Sequence, residues 1–227
     1  MTIKFNLPVQ ALSSIGRRTS IIAAASLATL VLSACTDLLS AGPSPKYFTL
    51  SPKNTFESNL PDVSWQLVVE HPLSSGALAT QRIALTHDPV QIEYFAGARW
   101  TEQAPRLVQT LLVESFENSQ KIIAVGRVAI GLRSDFNLKS DLREFQAEYR
   151  EKGAPPVVRV RINTKLILQA KRQIVASRTF ESVATADSTK MRDVIRAFDR
   201  ALGKVIKKIV AWTLITGNNT PLKSTRS

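Results

Sequence analysis

The sequence predicts an α+β domain, in which a mixed or antiparallel sheet is covered by two amphipathic helices. Three observations lead there. Val158, Val160, Ile162, Thr164, Leu166 and Leu168 alternate with Arg159, Arg161, Asn163 and Lys165, the two-residue period of a strand with one face buried and one wet. Leu107, Val108, Leu111, Leu112 and Phe116 recur instead at helical spacing, as do Met191, Val194, Ile195, Phe198, Ala201, Leu202, Val205, Ile206 and Ile209. The order along the chain is strands, helix, strands, helix, which reads as two similar halves, each a sheet portion under one helix.

The first 34 residues stand apart from that pattern. Arg17 and Arg18 precede an uncharged apolar run, Ile21 to Val31, far shorter than the roughly 20 residues a membrane-spanning helix needs. Small residues and the only cysteine follow, in Leu32-Ser33-Ala34-Cys35. Basic, apolar and small segments in this order are the layout of a secretory signal. The Leu-x-Ala-Cys ending resembles the lipobox of bacterial lipoproteins, which implies a diacylglycerol on Cys35, cleavage before it and acylation of the new N-terminus. A thioether of that kind needs a thiolate nucleophile, and no second thiol is present for a disulfide. Several acyl chains hold a protein far more firmly than one. Residues 1–34 are therefore expected to be a signal peptide, and 35–45, with Gly42-Pro43-Ser44-Pro45, a flexible tether.

Thr36 rather than aspartate follows the cysteine, so the outer membrane, facing the periplasm, is the expected destination. Asp37 keeps inner-membrane anchoring as the alternative. Losing Lys4, Arg17 and Arg18 with the leader lowers the net charge from +12 to +9. A basic surface suits anionic headgroups, lipid phosphates or acidic partners, and equally suits a domain that only needs solubility. Nucleic acid is a poor partner for an exported, anchored chain.

The remaining elements follow in order. Lys46 to Leu50 is a β candidate stopped by Ser51-Pro52, and residues 53–62 look irregular. Trp65 to Glu70 reads as a strand ended by His71-Pro72. Gln81 to Thr86 and Val90 to Phe95 form a hairpin around His87-Asp88-Pro89. Thr101 is the expected cap of the first helix, whose first turn holds Pro105. Ile122 to Val125 is a short strand and 126–137 a loop. Leu138 to Tyr149 reads as a strand, although a helix accommodates Leu142 and Phe145 equally well. After the break at Gly153-Ala154-Pro155-Pro156, Val157 to Leu168 and Gln173 to Val183 pair across a turn near Lys171-Arg172. Ser188 is expected to cap a helix from Thr189 to Leu214 whose other faces carry Arg192, Arg196, Arg200, Lys204, Lys207 and Lys208. A single domain over 46–216 and a disordered tail over 217–227 complete the reading.

No catalytic constellation emerges, and the chain is not expected to be an enzyme. His71 and His87 both sit beside proline-containing turns, and His87-Asp88 reads as a surface turn rather than a base with its orienting carboxylate. No residues have metal-ligand spacing, and Gly126 to Gly131 lacks the spacing and lysine of a phosphate loop. Apart from lipid on Cys35, no cofactor is expected. Candidate partner-binding residues are Tyr94, Arg99 and Trp100, with Lys204, Lys207 and Lys208 on the last helix. Trp100 also fits a structural role beneath the helix it introduces, with Arg99 solvated.

Several pieces together resemble the ABC-type transport auxiliary lipoproteins, including the paraquat-inducible protein C group. They are the lipobox, Tyr47-Phe48-Thr49-Leu50, Arg82-Ile83-Ala84-Leu85, Tyr94-Phe95-Ala96-Gly97-Ala98-Arg99-Trp100 with Pro105-Arg106-Leu107, and Leu138-x-x-Asp141-Leu142-x-x-Phe145. The resemblance implies a fold related to the N-terminal domain of TolB. It also implies a non-enzymatic role beside an ABC permease, its ATPase and a periplasmic MCE-domain protein, moving lipids or hydrophobic compounds, with anchoring in the outer membrane and, in some members, a homo-oligomeric ring. A rival reading is a periplasmic carrier that shelters an acyl chain between helix and sheet.

Overall fold

The computed structural model describes residues 44–127 and 134–222. The leader, Cys35, most of the tether, residues 128–133 of the expected loop and 223–227 of the expected tail lie outside them. The strands are β1 (Lys46–Phe48), β2 (Val63–Val69), β3 (Leu73–Ser74), β4 (Arg82–Asp88), β5 (Gln91–Trp100), β6 (Ile122–Gly126), β7 (Phe136–Glu148), β8 (Val157–Leu168) and β9 (Gln173–Thr185). The helices are α1 (Ala104–Ser119) and α2 (Met191–Asn218).

All nine strands form one mixed sheet, with β7 as its spine. One side of β7 pairs antiparallel with β8, and β8 with β9. Its other side meets β2, β3 and β4 in turn, all parallel. Beyond them, β2 leads to β6, and β4 leads through β5 to β1. The expected two halves are thus one sheet with one core: α1 lies over β2 and β6, α2 over β8 and β9, and the helices touch each other.

The strand-or-helix ambiguity of residues 138–149 resolves as a strand with a bulge. Leu142 faces Ile162 and the next pair is Glu144 with Arg161, so Arg143 is an extra residue. The bulge switches the inward phase from Phe136, Leu138, Ser140 and Leu142 to Phe145 and Ala147. Leu142 and Phe145 are both buried for that reason, although regular alternation would part them.

Both helix starts differ from expectation. Gln103, not Thr101, precedes α1, and no side chain caps it. The strand β5 runs on to Trp100, so Thr101 completes the sheet instead: its N–H donates to the Phe48 carbonyl (2.9 Å) and its own carbonyl accepts from the Gln81 amide (3.1 Å). At α2, Ser188 lies two residues before the cap position Lys190. Its hydroxyl accepts from the Lys190 N–H (3.1 Å) and donates to Asp193 (2.6 Å). The helix also runs four residues past Leu214, so residues 217 and 218, expected in the tail, belong to it.

Two aromatic contacts hold α2 toward its two ends, while its length lies over β8 and β9. Phe198 meets Phe145 at a ring-centroid distance of 5.0 Å. Near the other end, Gly217 abuts Trp65, which packs edge-on against Phe136 at 5.0 Å. The residues 51–57 then cross the helix pair as a strap. The Ser51 N–H donates to Asp199 (2.7 Å) on α2, and the Lys53 N–H donates to the buried Ser115 hydroxyl (2.8 Å) on α1. Asn118 donates to the Lys53 carbonyl (3.2 Å), and Glu57 meets Lys207 (3.6 Å).

A Cβ on Gly217 would lie 2.4 Å from a Trp65 ring carbon, whereas one on Gly203 would meet only the Lys53 Cδ at 3.9 Å. Gly217→Ala is therefore expected to lower stability by about 1–3 kcal/mol through overpacking, despite alanine's helix propensity. Gly203→Ala in the same helix is expected to raise it by up to about 1 kcal/mol. Urea unfolding of the two variants checks this; equal effects would mean that the Trp65 contact does not hold the helix end.

Candidate functional site

The residues singled out from the sequence fall into two groups with different fates. The stretch Tyr94 to Trp100 lies on β5, which bulges: the register shifts between Ala84–Tyr94 and Arg82–Arg99, and Gly97 adopts the left-handed φ of +64°. The bulge turns Trp100 fully into the core, where its ring sits 5.2 Å from Phe198 and 5.4 Å from Phe145. Trp100 is therefore no partner contact. Tyr94 is half-buried; its hydroxyl donates to the Ala77 carbonyl (3.1 Å), and the Arg82 guanidinium lies 3.7 Å from its ring centroid. Arg99 is half-buried between Arg82 on β4 and Tyr47 on β1. These three residues share a segment but no common surface.

The three lysines do come together. Lys204 and Lys208 are exposed on α2, and Lys207 between them is half-buried beside Glu57. They line an open cleft of about 580 Å³ where α2 meets β9, with Phe180 at its base and Trp212 edge-on to that ring at 5.6 Å. Arg178 reaches the cleft from β9, its guanidinium 5.4 Å from the Phe180 centroid. Sequence reasoning named the lysines and missed Arg178, Phe180, Trp212 and Glu57. Trp212 carried a signal, since it follows Lys208 by four residues and Lys204 by eight and so shares their helix face. The β9 residues carried none, because their proximity arises only from sheet pairing.

A second cleft, of about 470 Å³, opens at the β4–β5 turn. His87 stacks on Tyr149 (5.1 Å, 22°), and its Nδ1 is 3.3 Å from Glu93. Asp88 is occupied within the turn, accepting the Val90 N–H (3.1 Å), so His87 and Asp88 form no dyad. Among the described residues no cluster of His, Cys, Asp and Glu has the geometry of a metal site. Below the turn, Arg159 on the outer sheet face bonds Glu148 (2.6 Å) and Glu181, and Arg161 bonds Glu144 (2.7 Å). Burial pushes the Glu148 carboxyl up, but hydrogen bonds and charge from Arg159 and Arg150 outweigh it and hold it below the ordinary carboxylate value. The Arg159 guanidinium is raised in turn, first by its bond to Glu148.

A carboxyl depressed by folding contributes stability above its unfolded value, and that contribution disappears as pH falls through the folded one. Glu148→Gln is therefore expected to cost on the order of 1–2 kcal/mol at pH 7. As pH falls through the lowered folded value of the carboxyl, the gap between the two proteins should close. Denaturation at pH 7 and pH 3 measures this; a gap unchanged at low pH would mean that the ion pair is not its source.

The carrier reading fares poorly at the helix–sheet interface. Val205, Ile206, Ile209 and Val210 on one side and Val158, Val160, Ile162 and Leu166 on the other have no exposed surface. These side chains fill the space that an acyl chain would need.

Comparison with known proteins agrees with this architecture. Protein XCC0632 of Xanthomonas campestris, known from its crystal structure, is 34% identical, covers 76% of this chain with 97% of its own, and superposes with a TM-score of 0.72. An uncharacterized protein of known structure shares the fold at 16% identity and a TM-score of 0.59, over 74% of this chain and 97% of its own. The likeness to TolB is not carried by these matches. An uncharacterized protein of Bradyrhizobium diazoefficiens is 29% identical over 155 residues, 67% of this chain, and the chain spans only 40% of that relative's length. The sequence model for the ABC-type transport auxiliary lipoprotein component matches residues 48–210, nearly the whole folded domain, and the chain belongs to that family.

Proposed function

We propose that this chain is a lipid-anchored, non-enzymatic periplasmic accessory of an MCE-type ABC transport system for lipids or hydrophobic compounds. In this reading the lipid sits on Cys35, the anchor lies in the outer membrane, and the folded domain docks an MCE-domain protein, which links it to the permease and ATPase. The observation that carries the reading is the family match over 48–210, directly downstream of the lipobox at Leu32–Cys35. Among the described residues no helix is long and apolar enough to cross a membrane. The tether, about ten residues long, spans at most about 35 Å when extended.

Two measurements test it. Cys35→Ser should move the protein out of the outer-membrane fraction and weaken the envelope's barrier; a variant that still sediments with outer membranes and keeps normal barrier function overturns the anchor. A photo-crosslinker at the exposed positions Ile92, Ile123 or Val183 should capture an MCE-domain protein in living cells. Capture of none from any of the three positions overturns the docking role.

A further inference from the structure

The cleft between α2 and β9 joins two chemistries that a single ligand must satisfy. Its rim is cationic. Lys207 has a carboxylate nearby in Glu57, while Lys204, Lys208 and Arg178 have no ion pair among the described residues. Its base is apolar: Trp212 and Phe180 stand edge-on, and Ile215 at the end of the cleft is 47% exposed. Inorganic phosphate would leave the apolar part unused. An anionic amphiphile uses both, with its phosphate among the cations and its first methylenes against the tryptophan.

We propose that this cleft binds the headgroup phosphate of an anionic phospholipid at the bilayer surface. Lys204, Lys208 and Arg178 surround the phosphate, and Trp212 and Ile215 sit at the level of the first acyl carbons. Lysines with apolar stems beside a half-buried tryptophan are the side chains that settle at a membrane–water interface. The 51–57 strap, which follows β1, meets α2 at Asp199 and Lys207 and places Glu57 on the rim of the cleft. This deepens the accessory role by naming its membrane contact, and rests on that role only for the presence of a membrane.

Trp212 is itself the probe. The chain has three tryptophans, and Trp65 and Trp100 are 4% and 0% exposed, so a lipid-dependent change in emission reports Trp212. The full-length Cys35→Ser protein, which carries no acyl chain, is mixed with vesicles of phosphatidylcholine alone, or with about a third phosphatidylglycerol, both brominated near the top of the acyl chains. Blue-shifted, quenched emission is expected only with the anionic vesicles, and Trp212→Phe abolishes the signal. Lys204→Glu with Lys208→Glu should weaken vesicle affinity by roughly thirtyfold or more, with an unchanged melting temperature. Quenching that is equal in neutral vesicles, or indifferent to the lysine changes, overturns the proposal. So does complete blockade by millimolar inorganic phosphate, which would make the site one for free phosphate. Loss of the MCE crosslink with quenching intact sinks the accessory role alone; intact crosslinking without quenching sinks only this site.

Discussion

Two aromatic contacts, one toward each end of the long helix α2, are the constraint on which the rest of this structure depends. From Phe136 to Phe145 the strand β7 advances about 30 Å. From Gly217 back to Phe198 the helix α2 covers about 28 Å. The two lengths match, and an aromatic contact fixes each end: Phe198 with Phe145 and Trp100 at one, Gly217 against Trp65 and Phe136 at the other. Everything else is hung from this pair. The strands β2, β3 and β4 take successive stretches of one side of β7, and β8 takes the other. A slip of the helix by one turn would break both aromatic ends together, which gives the fold a single register.

That arrangement explains why aromatics from the most specific sequence motifs lie in the core. Trp100 and Phe145, from two separate motifs, meet each other and Phe198 inside the core. Such a cluster contributes several kcal/mol through area and edge-to-face geometry, so these positions define the fold class. Binding chemistry is left to side chains whose removal the core would hardly feel. The α2–β9 cleft has that character, because its lysines stand outside the buried stripe of the same helix. The outer face of the sheet, in contrast, spends its charges internally, with Arg159 and Arg161 held by Glu144, Glu148 and Glu181.

Periodic segments were legible in the sequence, and interruptions of the period were not. The alternation in β8 and the apolar stripes of both helices read correctly because each is set by local spacing. The β7 assignment stayed ambiguous because the extra residue Arg143 changes phase in mid-strand, and nothing local announces a bulge that exists to satisfy Ile162 and Arg161 across the ladder. The cap residues Thr101 and Ser188 were misplaced for a related reason. Both hydroxyl residues were taken by neighbouring structure, the sheet edge in one case and Asp193 in the other. At the cleft, the lysines and Trp212 lie on one helix and could be read together. Arg178 and Phe180 join them only through the β8–β9 pairing, a non-local fact.

The irregular stretch after β1 couples the two helices. The residues 51–57 have no helix or strand of their own, so their backbone groups need partners from elsewhere. They find them on both helices, at Ser115 and Asn118 of α1 and Asp199 of α2. The strap cannot lift away without unpairing the buried Ser115 hydroxyl from the Lys53 N–H, which binds this segment to the helical layer. The segment with no regular structure thereby joins the two helices through hydrogen bonds.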